Sequence, residues 1–209
     1  MNIIEIIRSD KILAEKIVYL CDIEIYPNNQ NPRNKNMYGE IIRNINGMAF
    51  GCNAAEGEYI LLEDNTIGFF SSEWDCGRIA ENINELFELL INISCWIDYL
   101  YIDLYNDDKM LNQYIIKTEK DNEEYYNEIF NGNNIEKDKY KNVQKELSEN
   151  LSIKLYENKI ELLKRFYGTA NRCPQYIQSY FEEDGTKVSS DGSLINRFLN
   201  NNLKNVLIK

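Results

Sequence analysis

The 209-residue chain contains no histidine. That removes the side chain that most often serves as a general base near neutral pH. It also excludes Ser-His-Asp and Cys-His nucleophile schemes and most zinc chemistry. Carboxylate and lysine chemistry stay open. No apolar run approaches the ~20 residues that a bilayer-spanning helix needs. Residues 1–20 carry Glu5, Arg8, Asp10, Glu15 and Lys16 and no small-residue cleavage site, so no signal peptide is expected. The five cysteines, Cys21, Cys52, Cys76, Cys95 and Cys173, are odd in number, scattered, and include no CxxC pair. That pattern favours free thiols over a zinc or redox motif.

Basic residues are in deficit as well. Lys and Arg number 23 against 34 Asp and Glu, for a formal net charge of -11. Direct nucleic-acid binding and an anionic membrane surface both need a Lys/Arg footprint that this balance does not provide. A basic partner suits it, through long-range attraction and complementary potential, and so does a role in solubility alone. The glycines of "GCNAAEGEY" (51–59) lack the GxGxxG and GxxxxGK[ST] spacings that cradle phosphate. They read as a loop, and no cofactor is expected. A soluble cytoplasmic protein is the default.

What is present suffices for a core. Apolar residues make up 44 % of the chain and aromatics 12 %, so it should fold without disulfide staples. Residues 3–20 carry a helical apolar stripe with a break at Ser9 and Asp10, both good N-cap types. Residues 26–36 hold two of the three prolines and read as a loop. The stretch 37–46 suggests a short helix, and Met48–Gly51 a short strand. Residues 58–62 and 66–71 form a hairpin about the turn residues Asp64 and Asn65. Asn82 caps a helix that carries Ile83, Leu86, Phe87 and Leu90 at helical spacing.

"CWIDYLYIDLY" (95–105) continues the helical region. Residues 107–150 read as exposed helices broken at 131–134, with Leu111, Ile115, Thr118, Asn122, Tyr125 and Ile129 near one face. A helix carrying Leu155, Ile160, Leu163, Phe166 and Tyr167 should stop at Gly168. Residues 173–188 look extended, with a turn at Asp184-Gly185. A last helix should start at Ser193.

Six carboxylates, Glu56, Glu58, Glu63, Asp64, Glu73 and Asp75, surround the hairpin. Two of them would serve as general acid and base in a carboxylate hydrolase. All of them would serve equally as a solvated rim or a protein-binding rim. Trp74, between Glu73 and Asp75, either tucks into the core or anchors an interface. Trp96 reads as core. Arg78 fits an internal ion pair better than an anion site. Tyr176, Tyr180 and Phe181 are either one core face of a strand or an exposed aromatic patch.

The segment "GMAFGCNAAEGEYILLEDNTIGFFSSEWDCGRIAENINELFELLIN" resembles the core of the SUKH superfamily of bacterial immunity proteins. Its matching features are the aromatic-then-Gly strand (Phe50, Gly51), a short polar link and an apolar strand ending in acidic turn residues. The "IGFF" strand, a variable loop, and a short strand running into a helix at "RIAENINELFELLIN" follow in the same order. The resemblance implies an α+β fold, an antiparallel β-sheet flanked by helices, with a core over about 1–94. A helix-rich extension over about 95–209 would complete or decorate that core as one domain.

The resemblance also implies a non-catalytic protein that binds and neutralises a cognate toxin, often a nuclease. A nuclease holds phosphate on a basic surface, which an acidic inhibitor can occupy. On that reading the contact surface is Glu56, Glu58, Glu63, Asp64, Glu73, Trp74 and Asp75. The alternatives are a carboxylate-based hydrolase or small-molecule sensor with a pocket beside the hairpin, and a scaffold or oligomer subunit.

Overall fold

A computed structural model describes residues 2–36, 39–93, 95–131 and 139–208. Helix α1 (Ile3–Ser9) begins where the Asn2 side chain accepts from the Ile4 N–H at 2.8 Å. Asp10 ends it and starts α2 (Lys11–Cys21), accepting from the N–H groups of Ile12 and Leu13. The break expected at Ser9 and Asp10 is therefore a cap serving two helices.

Of the stretch 26–36, expected to be a loop, residues 31–34 are irregular, but residues 26–30 belong to β1 (Glu24–Gln30), an edge strand. An edge tolerates Pro27, whose missing N–H costs no ladder bond there. The register with its neighbour slips between Ile25 and Gln30, around that proline. The helix expected over 37–46 is also absent from the described residues of that stretch. Two short strands stand there, β3 (Gly39–Glu40), paired with β2 (Lys35–Asn36), and β4 (Ile42–Arg43). Ile41 is buried and Ile42 exposed, the alternation of a strand. The partner of β4 lies far along the chain, which is why local sequence reads wrongly here.

The five-stranded antiparallel sheet is completed by β5 (Gly47–Cys52), β6 (Glu58–Leu62), β7 (Ile67–Phe70) and β8 (Cys76–Ala80), in the order β1-β5-β6-β7-β8. The expected hairpin is β6–β7. Asn65 takes the left-handed conformation its turn requires, at φ +66°. Asn82 caps α3 (Ile83–Asn92) as read, accepting from the Glu85 N–H. Two 3-10 turns follow, Trp96–Tyr99 and Ile102–Asn106.

Helix α4 (Asp108–Asn131) comes next, then α5 (Lys139–Leu151). The predicted break at 131–134 falls largely outside the described residues, as does the Ile129 side chain. Leu111, Ile115 and Thr118 are buried as expected, but Tyr125 is exposed.

Helix α6 (Ile160–Ala170) starts later than expected and runs through Gly168. Thr169 and Ala170 are both buried, so packing holds the last turn although Gly168 faces open space. Strands β9 (Gln178–Phe181) and β10 (Lys187–Ser189) enclose the expected turn, where Gly185 has φ +84°. The final helix, α7 (Asn201–Leu207), is capped by Asn200 rather than Ser193. Residues 194–199 instead bury Leu194, Ile195 and Leu199 and bond their backbone to the segment at 100–102.

These elements make an α+β fold. The alternation along β6 sends Tyr59 to one face of the sheet and Ile60 and Leu62 to the other. The first face packs on helices through Phe87, Leu90, Leu163 and Phe166. An aromatic column crosses it. Tyr59 meets Phe69, Phe69 meets Trp96 and Trp96 meets Phe166, all edge-to-face with centroids 5.1–5.8 Å apart. Trp96 is core, as read, and its indole N–H donates to the Tyr59 hydroxyl at 3.3 Å.

The second face is covered by the small sheet β10-β9-β4 and by Tyr176, which is fully buried. Gly68 permits that cover, since a Cβ there would lie 2.8 Å from the Tyr176 ring. Residues beyond 95 thus contribute to both faces of the sheet.

Arg78 on β8 is buried to 1 % exposure within this second layer. Its Nε donates to Thr66 Oγ1 at 2.9 Å, and its two terminal nitrogens donate to the Asp64 carboxylate and the Pro174 carbonyl. This is the internal ion pair the sequence suggested. Burial raises the pKa of Asp64, but hydrogen bonds from Thr66 and Arg78 outweigh that and hold it at about 2, below its ordinary 3.8.

The depressed carboxyl pKa gives the sign of the pH dependence. The stabilisation is present above about pH 4 and is lost as the pH falls through the folded value of about 2. Asp64→Asn leaves the buried guanidinium uncompensated and should cost ~2–4 kcal/mol in urea unfolding at pH 7. The gap between mutant and wild type should shrink below pH 4 and nearly close at pH 2.

Candidate functional site

The strand directions divide the predicted contact residues. Loops 53–57 and 71–75 join β5 to β6 and β7 to β8 at one end of the sheet, while the β6–β7 turn lies at the other. Glu56, Glu73, Trp74 and Asp75 therefore share one end. Glu63 and Asp64 sit a strand's length away, roughly 15 Å. Asp64 is bound to Arg78. Glu58 is 5 % exposed, and its carboxylate accepts from the Arg33 backbone N–H at 2.9 Å. Two of the seven thus have inward structural partners, and the seven do not form one patch.

Trp74 packs on the second core cluster, edge-to-face with Phe70 at 5.6 Å and Tyr180 at 5.0 Å. It is half-buried and holds φ +78°, a conformation that costs a bulky L-residue strain. Its indole N–H is buried with no hydrogen-bond acceptor among the described residues. Of the other late aromatics, Tyr176 and Tyr180 are buried and Phe181 is 51 % exposed. The strand therefore takes both of the orientations that the sequence left open.

At the loop end of the sheet a cleft of about 200 Å³ opens between four chain segments. Phe69, Trp96, Leu100 and Leu194 form its apolar floor. Asn53 shapes one wall, its side chain accepting from the Gly57 N–H at 2.7 Å. Gly57 is required there, since a Cβ would run into the Phe69 ring. Ser71 braces the other wall, its hydroxyl accepting from the Asp75 N–H at 2.9 Å.

At the mouth stand Glu73, which is exposed, and Asp75, which accepts from Arg197 at 2.9 Å. Arg197 is fixed from behind, because its backbone bonds to Leu100 and Ile102. Nearby, Glu56 is 79 % exposed at its side chain and lies 3.6 Å from Arg33, a surface pair of little energetic weight.

Among the described residues three carboxyls and three thiols are displaced from their ordinary range, and none of them lines the cleft. The carboxyls displaced from their ordinary range move downward. Asp64 does so as described, Asp103 through its hydrogen bond from Lys204, and Asp184 through the Thr186 backbone N–H. A general acid needs the opposite displacement. Burial pushes the Cys76 and Cys95 thiols up to about 12, and the Cys21 thiol up as well, so their thiolates are scarce at neutral pH. No cluster of three or more metal-ligating side chains occurs among the described residues, and no helix among them is long and apolar enough to cross a membrane.

Sequence reasoning missed Arg197, Leu194 and Leu100 as parts of this site. Arg197 reaches Asp75 across 122 residues of chain, and no local pattern marks it. No family model, no curated protein and no solved structure matches this chain.

The left-handed backbone at Trp74 gives a stability prediction. Trp74→Ala and Trp74→Gly both lose the contacts with Phe70 and Tyr180. Glycine alone relieves the strain, so the Gly variant should be more stable than the Ala variant by ~1 kcal/mol in chemical unfolding.

Proposed function

We propose that this chain is a non-catalytic protein-binding protein, an immunity protein that neutralises a cognate bacterial toxin in the cytoplasm of the producing cell. The observation that carries the reading is that Glu73 and Asp75 line an aromatic-floored cleft at one end of the sheet, with Glu56 on a loop at the same end, in a chain of net charge -11. Such a surface complements a basic one, as a phosphate-binding nuclease would present. The resemblance of residues 47–91 to the SUKH superfamily supplies the biological setting. The five free thiols suit a reducing compartment.

A second reading, a small-molecule sensor or carboxylate hydrolase, draws support from the same cleft beside the hairpin. Its volume of about 200 Å³ falls short of the ~300–1,000 Å³ usual for small-molecule sites, and Asp75 is engaged by Arg197. Binding is therefore the better reading.

The test starts with the purified chain as bait in a lysate of the source cells, at low salt and at ~1 M salt, where the Debye length falls to ~3 Å. A basic toxin recovered only at low salt supports the proposal. Recovery that ignores salt counts against an acidic contact face.

With the purified pair, Glu56→Lys and Glu73→Lys should each slow association roughly threefold to tenfold. Glu63→Lys changes the net charge equally but sits at the far end of the sheet, and should stay within ~2-fold of wild type. An equal loss for Glu63→Lys would overturn the placement of the surface.

A further inference from the structure

The cleft at the loop end has a more specific meaning than an acidic patch. We infer that it is a subsite for one arginine side chain of the partner protein, an inference that rests on the binding role proposed above. The argument is one of size, wall chemistry and charge. About 200 Å³ accommodates a single long side chain rather than a nucleotide or sugar chain.

The floor is apolar and aromatic, built by Phe69, Trp96, Leu100 and Leu194, each at most 4 % exposed. These are surfaces on which an aliphatic stem or a planar guanidinium packs well. The mouth is anionic. Glu73 has no ion-pair partner among the described residues, and Asp75 shares its charge with Arg197, which leaves one net negative charge at the opening. Glu56 stands on the adjoining loop.

An entering carboxylate finds Arg197 already neutralised and Glu73 repelling it. An entering phenyl or leucyl group would strip water from the Glu73 carboxylate and offer no bond in return. A guanidinium satisfies both demands. Its stem covers the floor, and its fixed fork of donors reaches Glu73 and the remaining acceptor capacity of Asp75.

The site is also pre-shaped. Gly57, Asn53 and Ser71 set its walls through backbone contacts, and the backbone bonds of Arg197 hold the rim, so little ordering is needed on binding. Arginine side chains anchored in desolvated pockets are frequent hot spots of protein interfaces.

The experiment needs no partner protein. N-acetyl-L-argininamide is titrated into the full chain while the two tryptophan indole N–H signals are followed by NMR. Trp74→Phe assigns them. N-acetyl-L-norleucinamide, which has an apolar stem and no charge, is the control.

Saturable movement of the Trp96 signal, with argininamide binding at least ~5-fold tighter than norleucinamide, is expected. Glu73→Gln should weaken it ~3–10-fold, and Ala55→Trp, an exposed position on the rim, should abolish it while thermal unfolding stays cooperative. Equal binding of the two probes, an undiminished response in Ala55→Trp, or no response of the Trp96 signal would each overturn the inference. Failure here with salt-sensitive capture of a basic toxin removes only the arginine subsite. Failure of capture with a positive titration removes only the toxin.

Discussion

A guanidinium buried to 1 % exposure cannot be left without partners, because an uncompensated internal charge costs several kcal/mol. Arg78, on β8, meets that constraint by drawing two separate pieces of chain to itself. These are the β6–β7 turn, through the Asp64 carboxylate and Thr66 hydroxyl, and the late segment at the Pro174 carbonyl. Through Pro174 it anchors the segment that carries Tyr176 onto the second face of the sheet, where β9 pairs with β4. The small sheet, and with it the covering of Ile60, Leu62 and Phe70, depends on this tie. An ion pair of this kind adds little net energy compared with an apolar packing of equal volume, but it specifies which turn lies against which late segment.

On the opposite face the aromatic column from Tyr59 to Phe166 performs the equivalent task by packing rather than by charge. It sets the Trp96 turn under the ends of β6 and β7. The column lies in the helix-covered core, and its two middle members, Phe69 and Trp96, also line the cleft. The cleft is thus a surface termination of the core. Its apolar floor comes from residues that stability already demands, and only the rim residues Glu73, Asp75 and Arg197 add a chemical preference.

Several elements were legible from local sequence because their determinants are local. Asn82 and Asp10 cap helices through bonds to residues two or three positions away, and Asn65 tolerates φ +66° by its own side-chain chemistry. The misread segments have distant determinants. Residues 26–30 resemble a loop because Pro27 and the asparagines disfavour a central strand, yet an edge accepts them. Residues 42–43 become a strand only because β9 arrives beside them, and residues 194–199 forgo a helix to bury their apolar side chains and bond to 100–102.

The candidate site divides in the same way. The clustering of carboxylates around the hairpin, the core role of Trp96 and the internal pairing of Arg78 follow from residue types and short spacings. The strand alternation turned Glu58 inward, and the antiparallel order placed Glu63 and Asp64 at the far end from Glu73. Arg197 reached the mouth of the cleft from the last tenth of the chain. Sequence by itself determined the caps at Asp10 and Asn82, the β6–β7 turn and the charge, because each is a property of neighbouring residues or of their sum, and the resemblance to a known family carried the class of fold. Only the tertiary structure decided which acidic residues share a surface and what they surround. Those relations exist only after strands distant in sequence have paired and the two faces of the sheet have been covered.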